Sequence, residues 1–230
     1  MYWLEKELVF PHASLSNEDG LLAVGGDLSP DRILLAYKNG IFPWFNPGEL
    51  FLWWSPDPRF VLFPEDLKVS KSMRPYFNQK KFTVRYDTCF RQIIKHCSQS
   101  KRKGQNGTWI TDEMIEAYVV LHEMGWAHSV EVYSDDVLVG GLYGIAIGQV
   151  FFGESMFAKV TNASKFGFIS LVRQLIKRGF TLIDCQQETP HLASLGATAI
   201  PREIFLDLMD KNNSLKHQPA NWSKLFVEEV

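Results

Sequence analysis

Cysteine is scarce and scattered in this chain. Cys89, Cys97 and Cys185 are its three cysteines, and no pair has the C-x-x-C spacing. An odd, unclustered set argues against a disulfide framework and suits a reducing compartment. Spacing for metal ligands is missing as well: the closest histidines, His122 and His128, do not share one helical face and read as ordinary polar residues. Long apolar runs are also missing. The most apolar stretch, Val137–Gly153, is 17 uncharged residues broken by five glycines and Gln149, short of the roughly 20 needed to span a bilayer. Near the start, Glu5, Lys6 and Glu7 stand where a signal peptide needs an apolar centre. These absences lead us to expect a soluble cytoplasmic protein with no membrane partner.

What is present is a large apolar inventory. Hydrophobic residues make up 46% of the chain and include seven tryptophans, enough for a real core. Charge is unevenly placed. Residues 68–103 carry eleven basic residues and one acid, Asp87, for a local charge of +10. The remainder is −12, which the total of −2 conceals. Such asymmetry points to a polyanion partner, with Lys68, Lys71, Arg74, Lys80 and Lys81 in its first half. The same window holds Tyr76, Phe77, Phe82, Tyr86 and Phe90, which suit either stacking or the inner faces of strands.

Residues 20–60 are rich in Gly, Pro and Trp. Asp27 or Ser29 can cap a short helix running to Lys38, with Pro30 in its first turn and Gly40 after it. We expect a small irregular N-terminal domain over 1–62 and a second domain over 63–230. In the second, the pattern predicts a strand over 82–86 and helices over 87–98 and 111–124, the latter capped by Thr111. Strands over 128–134, 137–145 and 150–157 follow, then a helix over 163–178 and a strand over 180–186. This makes an α+β protein whose last strand lies parallel to 150–157, reached by a right-handed crossover.

Functional groups then fall near the carboxyl ends of those two strands. There the sequence places Glu154, closing the uncharged run, and the pair Asp184 and Gln186. Strand alternation predicts that Asp184 and Gln186 share one face and that Ile183 and Cys185 face away. Glu154 should keep parity with Phe152 and Met156 unless Gly153 hosts a bulge. No nucleophile stands with a base, and no G-x-S-x-G elbow is present.

The segments GGDLSP, AYKNGIFPWF, WWSPDPR, TWIT, FFGESMF, NASK, LIDCQ and HLASLGA, spread in order from about residue 20 to 205, resemble the bacterial leucyl/phenylalanyl-tRNA–protein transferases. The resemblance implies an acetyltransferase-like (GNAT) second domain and no cofactor. It implies transfer of Leu or Phe, with Met as a further candidate, from Leu-tRNA or Phe-tRNA to proteins beginning with Arg or Lys. In bacteria that addition marks such proteins for N-end-rule degradation. By the same resemblance Asp184 and Gln186 are catalytic, and Glu154 receives the acceptor's positive N-terminus. Leu142, Phe151, Met156, Phe168, Leu171 and Ile183 form the aminoacyl pocket. Tyr37, Trp44, Trp109 and Tyr118 hold the 3′-adenosine, and the basic window meets the tRNA backbone. One departure stands out: Thr189 occupies a position where many members of the family have Asn.

Two other readings remain open on the sequence. One is an acetyltransferase or a peptidoglycan-type aminoacyl transferase on the same fold; an acetyl-CoA enzyme would want a glycine-rich loop where this chain has VTNASKFG. The other is a tRNA-binding module without catalysis, which would need the basic window but none of Glu154, Asp184 and Gln186.

Overall fold

The computed structural model describes residues 1–100 and 108–226. Its first part pairs β1 (Tyr2–Leu4), β2 (Leu21–Gly25), β3 (Phe42–Pro43) and β4 (Leu52–Trp54) in a small sheet of order β1-β2-β4-β3. Helix α1 (Pro30–Lys38) lies between β2 and β3, with Asp27 accepting the backbone N–H of Ser29 at 2.8 Å. The expected irregular region thus contains four short strands. They are too short, and too interrupted by Pro and Gly, to show a period of two.

The second sheet has seven strands. Chain order runs through β5 (Arg59–Leu62), α2 (Arg74–Asn78), β6 (Thr83–Tyr86), α3 (Phe90–Ser98), α4 (Asp112–Glu123), β7 (Ala127–Ser134), β8 (Val137–Ile147) and β9 (Val150–Ala158). It continues through α5 (Ala163–Lys177), β10 (Leu182–Gln186), α6 (Pro190–Ser194), β11 (Thr198–Ile200), α7 (Arg202–Asn213) and α8 (Trp222–Leu225). The spatial order is β11-β5-β10-β9-β8-β7-β6. Strand β10 runs parallel to β9, as expected, and the β7-β8-β9 meander is antiparallel. The turns follow from their residues: Asp135 and Asp136 take φ of 48° and 61°, a conformation that Asp tolerates better than most. Thr111 accepts the Met114 N–H at 3.2 Å, the expected cap of α4.

Each face of the larger sheet is covered. One buried cluster joins α5 to the sheet through Phe166, Ile169, Leu171 and Leu175. The other joins α3 and α4 to the small sheet, so that Ile33, Tyr37 and Trp53 share one core with Met114, Tyr118 and Phe152. The first 62 residues therefore bury their apolar side against the rest of the chain. Strand β5, at the end of that segment, lies inside the larger sheet between β10 and β11. No helix among the described residues is long and apolar enough to cross a membrane.

Candidate active site

The site forms where β9 and β10 part. Their pairing runs through Leu182–Val150, Ile183–Phe151 and Asp184–Phe152 and then stops. Up to that point alternation holds: Phe151 and Ile183 belong to the buried cluster on one side, and Phe152 to the cluster on the other. Beyond it both strands bulge. Against β8, the register of β9 jumps from Tyr143–Ser155 to Gly144–Gly153 and leaves Glu154 without a partner. Against β5, the register of β10 jumps from Asp184–Val61 to Gln186–Phe60, and Gln186 takes a left-handed φ of 61°. An extra residue in a strand re-aims the side chains after it. Gly144 makes the first bulge possible, because a Cβ there would lie 2.2 Å from the Phe152 carbonyl oxygen and 2.4 Å from the Phe151 ring.

Two sequence expectations are corrected by these bulges. Asp184 and Gln186 do not share a face, and Ile183 and Cys185 do not point away: both line the cavity, with Gln186 but not Asp184. Glu154 keeps parity with Phe152, since both meet Tyr37, but loses it with Met156, which packs against the opposite cluster.

Asp184 is fully buried and held by Arg59, with Nε at 2.8 Å from Oδ1 and Nη2 at 2.6 Å from Oδ2. Its Oδ1 also accepts the backbone N–H of Gln186 at 2.9 Å. Arg59 has no exposed surface either; its third contact is the Gly40 carbonyl, and Phe42 and Phe205 flank its guanidinium at 4.8 and 4.5 Å. A buried bidentate pair of this kind is geometrically demanding and is strongly destabilised when one partner is lost. Asp184 therefore reaches the site through the backbone of Gln186, whose unusual φ it helps to hold.

Glu154 is half-buried in the cavity wall. Its Oε1 accepts from the Tyr37 hydroxyl at 2.6 Å and from the Gln186 amide at 3.1 Å, and its Oε2 from the Tyr118 hydroxyl at 3.2 Å. Loss of hydration lifts its pKa to about 7, the three donors opposing that rise and the nearby Asp184 adding to it. Burial and the Glu154 charge push both tyrosines well above the usual phenol range. The Cys185 thiol is raised too, first by burial and then by Asp184, so it is a poor nucleophile.

The cavity measures about 410 Å³. Leu142, Phe151, Met156, Phe168 and Ile183 line it, as do Trp44 and Trp109. Leu171 does not: it is wholly buried in the core beneath α5. Tyr37 and Tyr118 are also fully buried, with hydroxyls 2.7 Å apart. They offer no free face for a base and instead hold Glu154 from behind. Thr189 lines the cavity and caps α6, accepting the Leu192 N–H at 3.2 Å.

The basic segment begins at the cavity's edge. The Lys68 N–H donates to the Leu195 carbonyl at 2.9 Å, just past the α6 residues His191 and Leu192 that line the cavity. Lys68, Lys71, Arg74, Lys80 and Lys81 are all exposed. The aromatic residues among them pack inward: Phe77 stacks on Phe166 at 4.1 Å, and Tyr76 on Phe82 at 5.6 Å. Arg85 and Arg91 engage Asp136 and Glu116. Lys101, Arg102 and Lys103 lie outside the described residues.

Sequence reading missed Arg59 and His191, which carry no local signal beyond membership of a Pro-rich turn and a short helix. It also took His128 for an ordinary polar residue. That ring is buried, 2.9 Å from Asp87 and stacked on Trp222 at 3.8 Å. Asp87 also accepts the Trp222 N–H at 2.8 Å, so this contact fastens the last helix to the sheet.

Comparison with known proteins adds a lineage to this geometry. Residues 61–210 match the family described as leucyl/phenylalanyl-tRNA protein transferase, and residues 26–57 match its N-terminal domain. A leucyl/phenylalanyl-tRNA–protein transferase of Flavobacterium johnsoniae is 58% identical over 91% of this chain and 99% of its own length. One of Nitrosospira multiformis is 57% identical over 96% of this chain and 95% of its own. Among solved structures, a GCN5-related N-acetyltransferase of Kribbella flavida aligns at 14% identity and a TM-score of 0.34, covering 72% of this chain and 59% of that one. A likeness that weak carries no argument.

Proposed function

The chain belongs to the leucyl/phenylalanyl-tRNA–protein transferase family of aminoacyltransferases, and from that premise we propose that it moves Leu or Phe from aminoacyl-tRNA to the α-amine of cytoplasmic proteins beginning with Arg or Lys, marking them for N-end-rule degradation. The observation that carries this reading is the pairing of Glu154 with Gln186 on the wall of an otherwise mostly apolar cavity. Leu142, Phe151, Met156, Phe168 and Ile183 take the aminoacyl side chain by burial, without a polar contact that would demand a particular residue. Trp44 and Trp109 offer faces to the terminal adenosine. From the rim, Lys68, Lys71, Arg74, Lys80 and Lys81 follow the tRNA backbone, a contact with phosphates that reads no sequence. Glu154 meets the positive N-terminus of the acceptor. An acidic group at the end of an apolar cavity penalises a neutral partner, which would leave it unpaired.

The reaction is aminolysis of the ester between the amino acid and the terminal ribose. A free α-amine has a pKa of about 7.7–8.0, so part of it is already neutral at physiological pH. Holding amine and carbonyl together then supplies much of the acceleration. Gln186 orients the amine by hydrogen bonds. Asp184 is a positioning residue, fixing Gln186 through its backbone with the help of Arg59.

The test is a transfer assay with labelled Phe-tRNA and peptides that differ only at residue one: Arg, Lys, Ala or Glu. Label should reach the Arg and Lys peptides alone. Binding of Phe-tRNA with no transfer to any peptide would leave a tRNA-binding module and overturn the reading.

A further inference from the structure

The attacking amine must lose a proton, and the cavity offers few places for it. Asp184 is committed to Arg59 and does not line the cavity. Gln186 has a carboxamide, which is not a base at neutral pH. Tyr143 and Cys185 line the cavity from β8 and β10; a phenol is a weak acid, and burial pushes the Cys185 thiol further up. Among the described residues of that wall two groups are left to accept a proton, Glu154 on β9 and His191 on α6.

The contacts of Glu154 favour it. The hydroxyls of Tyr37 and Tyr118 and the carboxyl of Glu154 form a closed triangle: 2.7 Å between the hydroxyls, 2.6 Å from Tyr37 to Oε1 and 3.2 Å from Tyr118 to Oε2. Three contacts need three protons, and the two phenols supply two. With Glu154 ionised, one contact lacks a proton. With Glu154 protonated the ring closes: Oε2–H donates to Tyr118, Tyr118 to Tyr37, and Tyr37 to Oε1. Both tyrosines are fully buried, so a proton reaches this ring only from the cavity side. We propose that Glu154, completed by Tyr37 and Tyr118, is the catalytic base that takes the proton shed by the attacking α-amine. Glu154 therefore touches the acceptor's α-nitrogen itself, besides meeting the acceptor's positive charge.

A neutral amine enters, its other proton already lost to solvent. Its lone pair forms the C–N bond to the ester carbonyl carbon, and one N–H proton passes to Glu154. The C–O bond to the ribose breaks with its electron pair on oxygen. That oxygen takes the proton from Glu154, which returns as a carboxylate. Burial tunes Glu154 for this exchange, since its pKa of about 7 is close to working pH. The groups that bear on it are Tyr37, Tyr118, Tyr143, Asp184, Cys185 and His191, with the Gln186 amide as a neutral donor.

This inference rests on the transferase reading, and one experiment separates the two. Single-turnover transfer from Phe-tRNA to a peptide beginning with Arg, both saturating, is measured across pH for the unaltered chain, Glu154→Gln and Tyr37→Phe. The unaltered chain should show two inflections, one from the amine and one from Glu154. Glu154→Gln should lose the second and slow transfer by about a hundredfold or more, with tRNA affinity unchanged. Tyr37→Phe keeps the carboxylate but removes its shortest donor, so the Glu154 inflection should move upward while that of the amine stays in place. A Glu154→Gln rate that is undiminished at saturating peptide, with only KM raised, would overturn the proposal, and so would a Tyr37→Phe profile identical to that of the unaltered chain. The second test stands even if Glu154→Gln fails to fold. No transfer by the unaltered chain at any pH would overturn the underlying reading instead.

Discussion

The side-chain amide of Gln186 donates to Glu154 across 3.1 Å, although the strands that carry them stop pairing two residues earlier on each. The contact exists because both strands bulge at the same level of the sheet. It ties two of the polar groups that face the cavity into one unit. Replacing Gln186 with Ala should lower the single-turnover transfer rate by about a hundredfold, the scale on which misplacing a reacting group is felt. Affinity for Phe-tRNA should stay nearly constant. A transfer rate equal to the unaltered chain's at saturating substrates would remove Gln186 from the mechanism.

Arg59 and Asp184 are both buried, so either alone is an uncompensated charge. Arg59→Met should cost roughly 3–5 kcal/mol of unfolding free energy, read from urea denaturation. Adding Asp184→Leu should recover part of that loss while transfer remains impaired, because Gln186 loses its backbone anchor. Equal stability of Arg59→Met and the unaltered chain would show that the pair is not coupled.

Glu131 has no exposed surface and accepts from the hydroxyls of Thr88 and Ser129. Burial is the first cause of a pKa raised to about 7. Unfolded, a Glu titrates near 4.3, so through the window between these values the folded chain keeps a proton that the unfolded chain has released. Stability must therefore fall as pH rises through that window and level off above about 7. Glu154 acts in the same sense. Glu131→Gln should flatten this fall by on the order of 3 kcal/mol, measured as urea midpoints at about pH 5 and about pH 8. Parallel pH dependences for the two proteins would refute the assignment.

Gly144 faces the bulge that presents Glu154. Gly144→Ala should cost about 1–3 kcal/mol through overpacking against the Phe152 carbonyl and the Phe151 ring. Transfer should drop as well, since Phe151 is a cavity wall. Full activity and an unchanged Tm would mean that the strands have slack at this point.

Lys80 and Lys81 are exposed, and Lys81 sits over the Tyr76 ring at 5.1 Å. Replacing both with Ala should weaken Leu-tRNA and Phe-tRNA alike. It should also reduce the slope of log affinity against log salt by roughly one to two. An unchanged salt slope would place the tRNA elsewhere on the surface.

Much of the second sheet was legible in the sequence. Val137–Ile147 and Val150–Ala158 alternate or run apolar long enough to read as strands, and Thr111 and Gly125 bracket a helix by the chemistry of its ends. The small sheet was not legible, because three of its four strands have only two or three residues and no measurable period, and the fourth, β2, is an apolar run of five that ends in glycine. The +10 window was visible as charge, but only folding decided that its aromatic residues turn inward while its first five cations stay outside.

By itself the sequence determined which residue types stand at the strand ends, Glu154, Asp184 and Gln186, and that an apolar cleft was available to them. Tertiary structure alone decided which of them reach it. Strand alternation is a local rule, and it assigned Asp184 and Gln186 to the same face. Two bulges broke that rule. One depends on the space left by Gly144 opposite β9, the other on an Arg59 guanidinium 125 positions away in sequence from Asp184. No periodicity records such contacts, because their energy comes from residues that meet only once the sheet is built.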